Sequence, residues 1–422
     1  MRFFWFFVFF AGFAVGVGRA DEGDYSLEDV LGLVSKTSPK IREARSGSDA
    51  AKESVGVARA GYFPEFNFEA VDSSGFPGSS GVVSPGGLMN SPYRSGYAYG
   101  LVLRGNLLDF GRTSAEVDAA RGELGVRESE VSLADYETKI EAAKAFFECS
   151  LYRSQRDVWT EIRKESEIIA EEVARFVKTG QRSVVEKYLA DAQTEEALTS
   201  EASFAERFSG SLQKIAILTR MPAGRACRVL PSSEVAITRD FPAVRSEGMN
   251  PFVERVESRL KSAAARLDRA KAGHLPRLVG TASFGEMQSS RLVAEKDYSV
   301  AIGLIVPLFD GLRTTSEVGR AGAEVVQREY EKDTVRQKMD ILIAELDTSI
   351  RSSRARSDHL LRELELAQKG FAIAKQRYFS HQGTLLDIRE SLRNLIRARI
   401  QINEANAEFF VSSASKAFLN GA

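Results

Sequence analysis

The chain repeats itself, and the repeat constrains what it can fold into more than any other feature. Ala60-Gly61-Tyr62-Phe63-Pro64 returns as Ala272-Gly273-His274-Leu275-Pro276 about 212 residues on, and each copy ends an amphipathic stretch opened by Ser38-Pro39 or Asn250-Pro251. Leu107-Leu108-Asp109-Phe110-Gly111-Arg112-Thr113 returns as Leu308-Phe309-Asp310-Gly311-Leu312-Arg313-Thr314, and Arg175-Phe176 as Arg377-Tyr378, now about 201 or 202 apart. The residues lost between fall in the Gly-, Ser- and Pro-rich stretch from Ser73 to Ser95, whose counterpart around Met287 to Asp297 is much shorter, as in a surface loop. The chain therefore divides into two like units, residues 21–220 and 250–422. Residues 221–249, with Pro222, Pro231 and Pro242, read as an irregular equatorial linker.

Within each unit the hydrophobic period changes in the same order. Ser26 and Asp29 form a capping-box pattern before Leu27, Val30, Leu31 and Val34, which predicts a helix from Ser26 to Ala60 with a break near Pro39. The period then becomes two. Phe66, Phe68 and Ala70 alternate with polar residues, as do Tyr97, Tyr99, Leu101 and Leu103 with Ala98, Gly100, Val102 and Arg104. The second unit carries a weaker strand, Leu278 to Met287, and a clear one over Tyr298, Val300, Ile302, Leu304 and Val306. Proline-free stretches follow, Thr113 to Thr179 and Thr314 to Gln382, each long enough for a helix of roughly 100 Å.

The first long stretch bears two ladders at seven-residue spacing. Val117, Leu124, Val131, Ala145, Tyr152 and Trp159 form one, and Ala119, Val126, Leu133, Ile140 and Phe147 the other, which implies helical neighbours on two sides. By length, Gln181 to Arg220 stacked on Asn250 to Ala272 would match one long helix, and Gly383 to Phe418 stacked on Ser26 to Ala60 the other.

Residues 1–20 read as a signal peptide cleaved after Ala20. Arg2 precedes the apolar run Phe3 to Val17, and Gly18-Arg19-Ala20 offers small residues at the cleavage positions. Beyond it no apolar run suits a spanning helix, so membrane entry would have to use strands. Four strands with one apolar face cannot close alone, because open edges in lipid leave backbone groups unpaired at several kcal/mol each. Three copies would supply twelve strands around an aqueous lumen.

Other classes are disfavoured. Lys plus Arg at 57 against Asp plus Glu at 58 leaves a net charge of -1, so nothing draws the chain to nucleic acid. Three histidines and two cysteines stand without metal-ligand spacing, and no nucleophile, base and orienting group form a set, so no cofactor, metal or enzymatic activity is expected. Cys149 and Cys227 read as buried or idle thiols whose pairing the sequence leaves open. An exported trimeric coiled-coil adhesin or scaffold explains the ladders, but not strand pairs inserted at matching places in both halves.

The sequence resembles the TolC-like outer-membrane efflux and secretion channels over nearly all of residues 21–422. The resemblance is carried by Ser26-Leu27-Glu28-Asp29-Val30, Ser38-Pro39, Ala58 to Pro64 with its copy Ala270 to Pro276, Val306-Pro307-Leu308-Phe309-Asp310-Gly311, and the turns around Gly180 and Gln382-Gly383. It implies a mainly α, duplicated fold: long antiparallel helical hairpins building a periplasmic α-barrel, and four strands per protomer joining a trimeric 12-stranded β-barrel. It further implies a homotrimer in outer-membrane lipid, docked through its helical tips to a periplasmic adaptor and an inner-membrane transporter, in an efflux pump or a type I secretion system. Two positions depart from the family pattern: Leu312 stands where a second glycine is usual, and His381-Gln382-Gly383 places glycine late.

Site expectations follow. Asp387 and Glu390 lie three apart on one helix face, and threefold repetition would make a ring of carboxylates, matching acids that line the closed entrance in the family. The competing reading is acids placed favourably at a helix N-terminus. Arg182, Glu186, Arg377 and Arg389 are candidates to link neighbouring tip helices. Gly180, Gln181, Gln382 and Gly383 are implied by resemblance to be adaptor-contacting. Tyr97, Tyr99, Phe284 and Tyr298 are candidates for an aromatic girdle at the membrane interface.

Overall fold

The computed structural model describes residues 26–74, 95–220, 250–289 and 292–419. The expected signal peptide, most of the Ser73 to Ser95 loop, the 221–249 linker and Cys227 lie outside the described residues.

Helix α1 (Leu27–Thr37) opens on a capping box: the Ser26 hydroxyl accepts from the Asp29 amide at 3.2 Å, and the Asp29 carboxylate accepts from the Ser26 amide at 3.0 Å. The break falls at Ser38, which caps α2 (Pro39–Ala60) with proline in its first turn, where no amide donor is needed. The second unit repeats the device in α5 (Pro251–Ala272), where the Asn250 side chain accepts from the Phe252 amide at 3.0 Å.

Strands β1 (Glu65–Ser74), β2 (Ser95–Leu108), β3 (Arg277–Ser289) and β4 (Leu292–Ile305) form one antiparallel sheet in chain order. The two units meet in its middle, at the β2–β3 pair, and among the described residues β1 and β4 are open edges. Register places Phe66, Leu103, Ala282 and Val300 in one row and Phe68, Leu101, Phe284 and Tyr298 in the next, all on one face. The opposite face carries Glu65, Asn67, Glu69, Arg104, Thr281, Ser283 and Ser299 among small residues.

The long helices are α3 (Arg112–Lys178) and α6 (Arg313–Phe379), 67 residues each and so roughly 100 Å. Each begins at an aspartate staple: Asp109 accepts from the Thr113 amide at 2.8 Å and Asp310 from the Thr314 amide at 2.9 Å. The turn into α6 needs a left-handed residue at Leu312, φ 66°, where Gly111 (φ 93°) serves α3. Leucine is held there against a steric cost on the order of 1 kcal/mol.

Helices α4 (Val184–Thr219) and α7 (Leu385–Leu419) return antiparallel along α3 and α6. The end-to-end partners differ from those that lengths alone favoured. The Asn250 side chain at the head of α5 donates to the Leu419 carbonyl at 3.3 Å, so α5 continues α7, while Val30 and Val34 of α1 share a core with Ile215 near the end of α4. Each unit thus stacks its own two short elements. Helix length carries no information about which ends meet; the contacts between the ends decide it, a side-chain hydrogen bond at one junction and apolar packing at the other.

Both ladders of α3 turn inward. Ala119, Val126, Leu133 and Phe147 are buried from one, and Val117, Ala145 and Trp159 from the other, while Leu124, Val131, Ile140 and Tyr152 are half-buried. They feed two cores. The upper joins Val30, Val34, Phe146, Phe147 and Phe418; the lower joins Ile169 and Val173 of α3 to Leu364, Phe371 and Tyr378 of α6 and Leu385, Ile388 and Leu392 of α7. Cys149 is fully buried in the upper core and disulfide-bonded, which corrects the expectation of an idle thiol. Pairing is a matter of tertiary approach and has no local sequence signal.

Candidate functional site

The candidate residues fall in two regions, the helical tips and the apolar sheet face. At the first tip α3 ends in a Schellman-type turn, with Gly180 at φ 73° and the Gln181 amide donating to the Phe176 carbonyl at 2.8 Å. At the second, His381 takes the left-handed place at φ 62°, and the Gln382 amide donates to the Arg377 carbonyl at 2.8 Å. His381, not Gly383, is therefore the counterpart of Gly180. Gly383 answers a different need, since a Cβ there would stand 3.1 Å from the Tyr378 nitrogen and 3.3 Å from Arg377. Gln181 and Gln382 are exposed at the two turns.

The tips are tied together by Arg182, Glu186 and Tyr378. The Tyr378 hydroxyl donates to the Glu186 carboxylate at 2.6 Å, and Arg182 donates to the Gly383 carbonyl at 2.9 Å while stacking 4.6 Å from the centre of the Tyr378 ring. Arg182 also stands 3.9 Å from Glu186. Phe176 packs 6.1 Å from Tyr378 and 4.7 Å from the His381 ring. Tyr378 is fully buried; that burial, and then the Glu186 carboxylate, hold its phenol well above the usual tyrosine range. Arg182 and Glu186, expected as linkers, thus do join the α3–α4 hairpin to the α6–α7 hairpin within one protomer, through a tyrosine and a backbone carbonyl. Further ion pairs repeat the tie up the bundle, Lys375 with Glu165 and Arg399 with Glu161.

The other candidates behave differently. Arg377 is exposed and reaches the Gln382 carbonyl at 3.4 Å, a local contact. Arg389 is half-buried, and its Nε has no hydrogen-bond partner among the described residues. Asp387 closes a capping box on α7, accepting from the Thr384 amide at 3.0 Å and hydroxyl at 2.8 Å. Those bonds, the amide first, hold its carboxyl below the usual carboxylate range. Glu390 pairs with Arg393 at 3.2 Å. Both acids are exposed and face away from the buried stripe of Leu385, Ile388 and Leu392. Asp387 therefore serves the helix N-terminus, and its side chain remains exposed.

The missed residues are Tyr378 and Phe176. Their signal was present in the repeat itself, which sets aromatics at matching places beside Arg175 and Arg377.

On the sheet, Phe66, Phe68, Leu101, Leu103, Phe284, Tyr298, Val300, Ile302 and Leu304 are all exposed on one face, Tyr298 and Val300 by 79% and 78%. Tyr99, Phe284 and Tyr298 lie at the outer end of this apolar field, with Phe284 directly opposite Tyr298 and Phe68 in the same row. The side chain of Tyr97 lies outside the described residues. A second exposed apolar group, Phe63, Phe110, Leu308 and Phe309, marks the strand–helix junction. No helix among the described residues is long and apolar enough to cross a membrane.

A family model described as outer membrane efflux protein matches residues 30–215 and 245–415. The chain is 24% identical to the Bordetella pertussis protein CyaE over 392 residues, covering 89% of this chain and 80% of the relative. It is 26% identical over 201 residues to the Pseudomonas putida pyoverdine export outer membrane protein OpmQ, covering 44% of this chain and 42% of the relative. The fold matches the Campylobacter jejuni CmeC outer membrane channel with a TM-score of 0.80 at 17% identity, covering 94% of this chain and 86% of the other.

Proposed function

The chain belongs to the outer membrane efflux protein family, and from that premise we propose that it is the homotrimeric exit channel of a tripartite efflux pump or type I secretion system. The observation that carries this reading is the sheet: one face of exposed large apolar side chains, an opposite face of small and polar ones, and two unpaired edges. Lipid accommodates the first, an aqueous pore the second, and pairing of β4 with β1 of the next protomer the third, giving twelve strands in three copies. Tyr97, Tyr99, Phe284 and Tyr298 would lie at the outer headgroup level. The reading includes export with cleavage after Ala20 and residence in the outer membrane. The disulfide at Cys149 supports an oxidising compartment.

The helices would continue the wall into the periplasm, ending at the tips, where Gly180, Gln181, Gln382 and Gly383 would meet the adaptor beneath an inner-membrane transporter. Asp387 and Glu390 from three protomers would ring the closed entrance. The Tyr378–Glu186 bond and the Arg182 contacts hold the α6–α7 hairpin against the α3–α4 hairpin, and opening requires their release. The chemistry asked of the chain is passage, not bond making.

Membrane fractionation with lysine-directed cross-linking tests the reading in one experiment. Outer-membrane residence with a three-protomer product is expected; a soluble or dimeric product defeats it.

A further inference from the structure

The sheet face opposite the apolar one is chemically uneven. On β3 and β4 it carries Thr281, Ser283, Ser299, Ala301 and Gly303, with the Ser283 and Ser299 hydroxyls 2.7 Å apart. On β1 and β2 it carries Glu65, Asn67, Glu69, Val102 and Arg104. Among the residues whose side chains are described, the only other charge on this face is Arg277, at the start of β3.

Arg104 is registered directly opposite Glu65, yet its guanidinium runs the other way, reaching Glu69 at 3.1 Å. Glu69 is registered with Gly100, four residues back along β2, so the bridge passes lengthwise over the level of Asn67 and Val102. Val102 at that level is fully buried although it lies on the polar face. The Arg104 and Glu69 side chains are thus laid lengthwise along the wall and neutralise one another. They do not extend from it as separate charges.

We propose that the Arg104–Glu69 bridge determines how the pore wall treats charged cargo. Paired, it presents a near-neutral, smooth lining that retains cargo of neither sign. Unpaired, either member would turn one sector of each protomer's wall into a charged surface. This rests on the barrel reading, in which the polar face lines the lumen.

The test places a reporter cysteine on the polar face, Ser299→Cys, in the membrane-embedded full-length protein, with the unsubstituted protein as the blank. Rates are compared for cationic and anionic impermeant thiol reagents. Ser299 is registered through Ser283 to Val102, two strand spacings or roughly 10 Å from the bridge. Glu69→Gln should shift the cation-to-anion rate ratio toward the anionic reagent by about twofold or more, and Arg104→Gln toward the cationic one by a similar factor. The double variant should return close to the parent ratio. Single variants that leave the ratio unchanged, or a double variant that stays shifted, overturn the assignment. A Val300→Cys reporter separates the two levels of inference: lipid should shield it, and labelling as fast as at Ser299 overturns the barrel reading and the bridge assignment with it.

Discussion

Replacing Tyr378 by phenylalanine removes one oxygen and leaves the ring that packs against Phe176 and under Arg182 in place. The lost interaction is a hydroxyl donating at 2.6 Å to the Glu186 carboxylate. Bonds to a charged group contribute about 1.5–3 kcal/mol net. Glu186 is partly open to solvent and keeps Arg182 at 3.9 Å, so water can replace the phenol, and the low end of that range applies. A loss of about 1.5 kcal/mol per protomer shifts the closed-to-open ratio of each tip about tenfold. Planar-bilayer recordings should show a larger open fraction and higher mean conductance for Tyr378→Phe, with trimer yield unchanged. The phenol is held above its usual range, so the bond is intact below the ordinary tyrosine value and is lost as pH rises through the raised one. The parent channel should therefore show no phenol-linked opening from neutral pH up to the ordinary tyrosine range. If Tyr378→Phe assembles normally and its open fraction matches the parent, the bond does not hold the tips and opening does not require its release.

Asp387→Asn with Glu390→Gln should lower cation selectivity and block by divalent cations in the same recordings; unchanged selectivity would leave both as helix-end acids. Asp387 has a depressed carboxyl, so its cap on α7 is present at neutral pH and is lost as pH falls through the depressed value. Amide exchange over the first turn of α7 should rise only under that acid condition. Gly122→Ala should destabilise the protein by about 1–3 kcal/mol, since a Cβ there would stand 2.7 Å from the Ser262 backbone where α5 crosses α3, whereas Gly47→Ala, with open space around it, should gain about 0.5–1 kcal/mol; thermal melts decide both. Gly180→Ala should cost about 1 kcal/mol because the turn needs φ near 73°, while His381→Gly should change stability little, relieving a similar strain but losing the ring contact with Phe176.

The parts of this protein legible in its sequence are those set by short-range periodicity. The capping box at Ser26, the break at Pro39, both strand pairs and both 67-residue helices follow from side chains that repeat every two or every three to four residues. The duplication made each reading in one half a check on the other. The apolar sheet face was equally legible, because alternation along one strand fixes which residues share a face before any partner is known.

Contacts between residues far apart in the chain were decided by tertiary structure alone. The order in which short helices stack rests on Asn250 meeting Leu419, and the joining of the two tips on Tyr378 reaching Glu186, pairs separated by 169 and 192 residues. Arg104 passes over its registered neighbour Glu65 to bind Glu69, which strand alternation alone does not predict. His381 takes the left-handed position in place of a glycine, its amide donating to the Tyr378 carbonyl and its ring lying 4.7 Å from that of Phe176, a contact 205 residues apart in sequence that glycine could not make. Periodicity places a side chain on a face; only the packing of elements brought together from distant parts of the chain determines what that side chain touches.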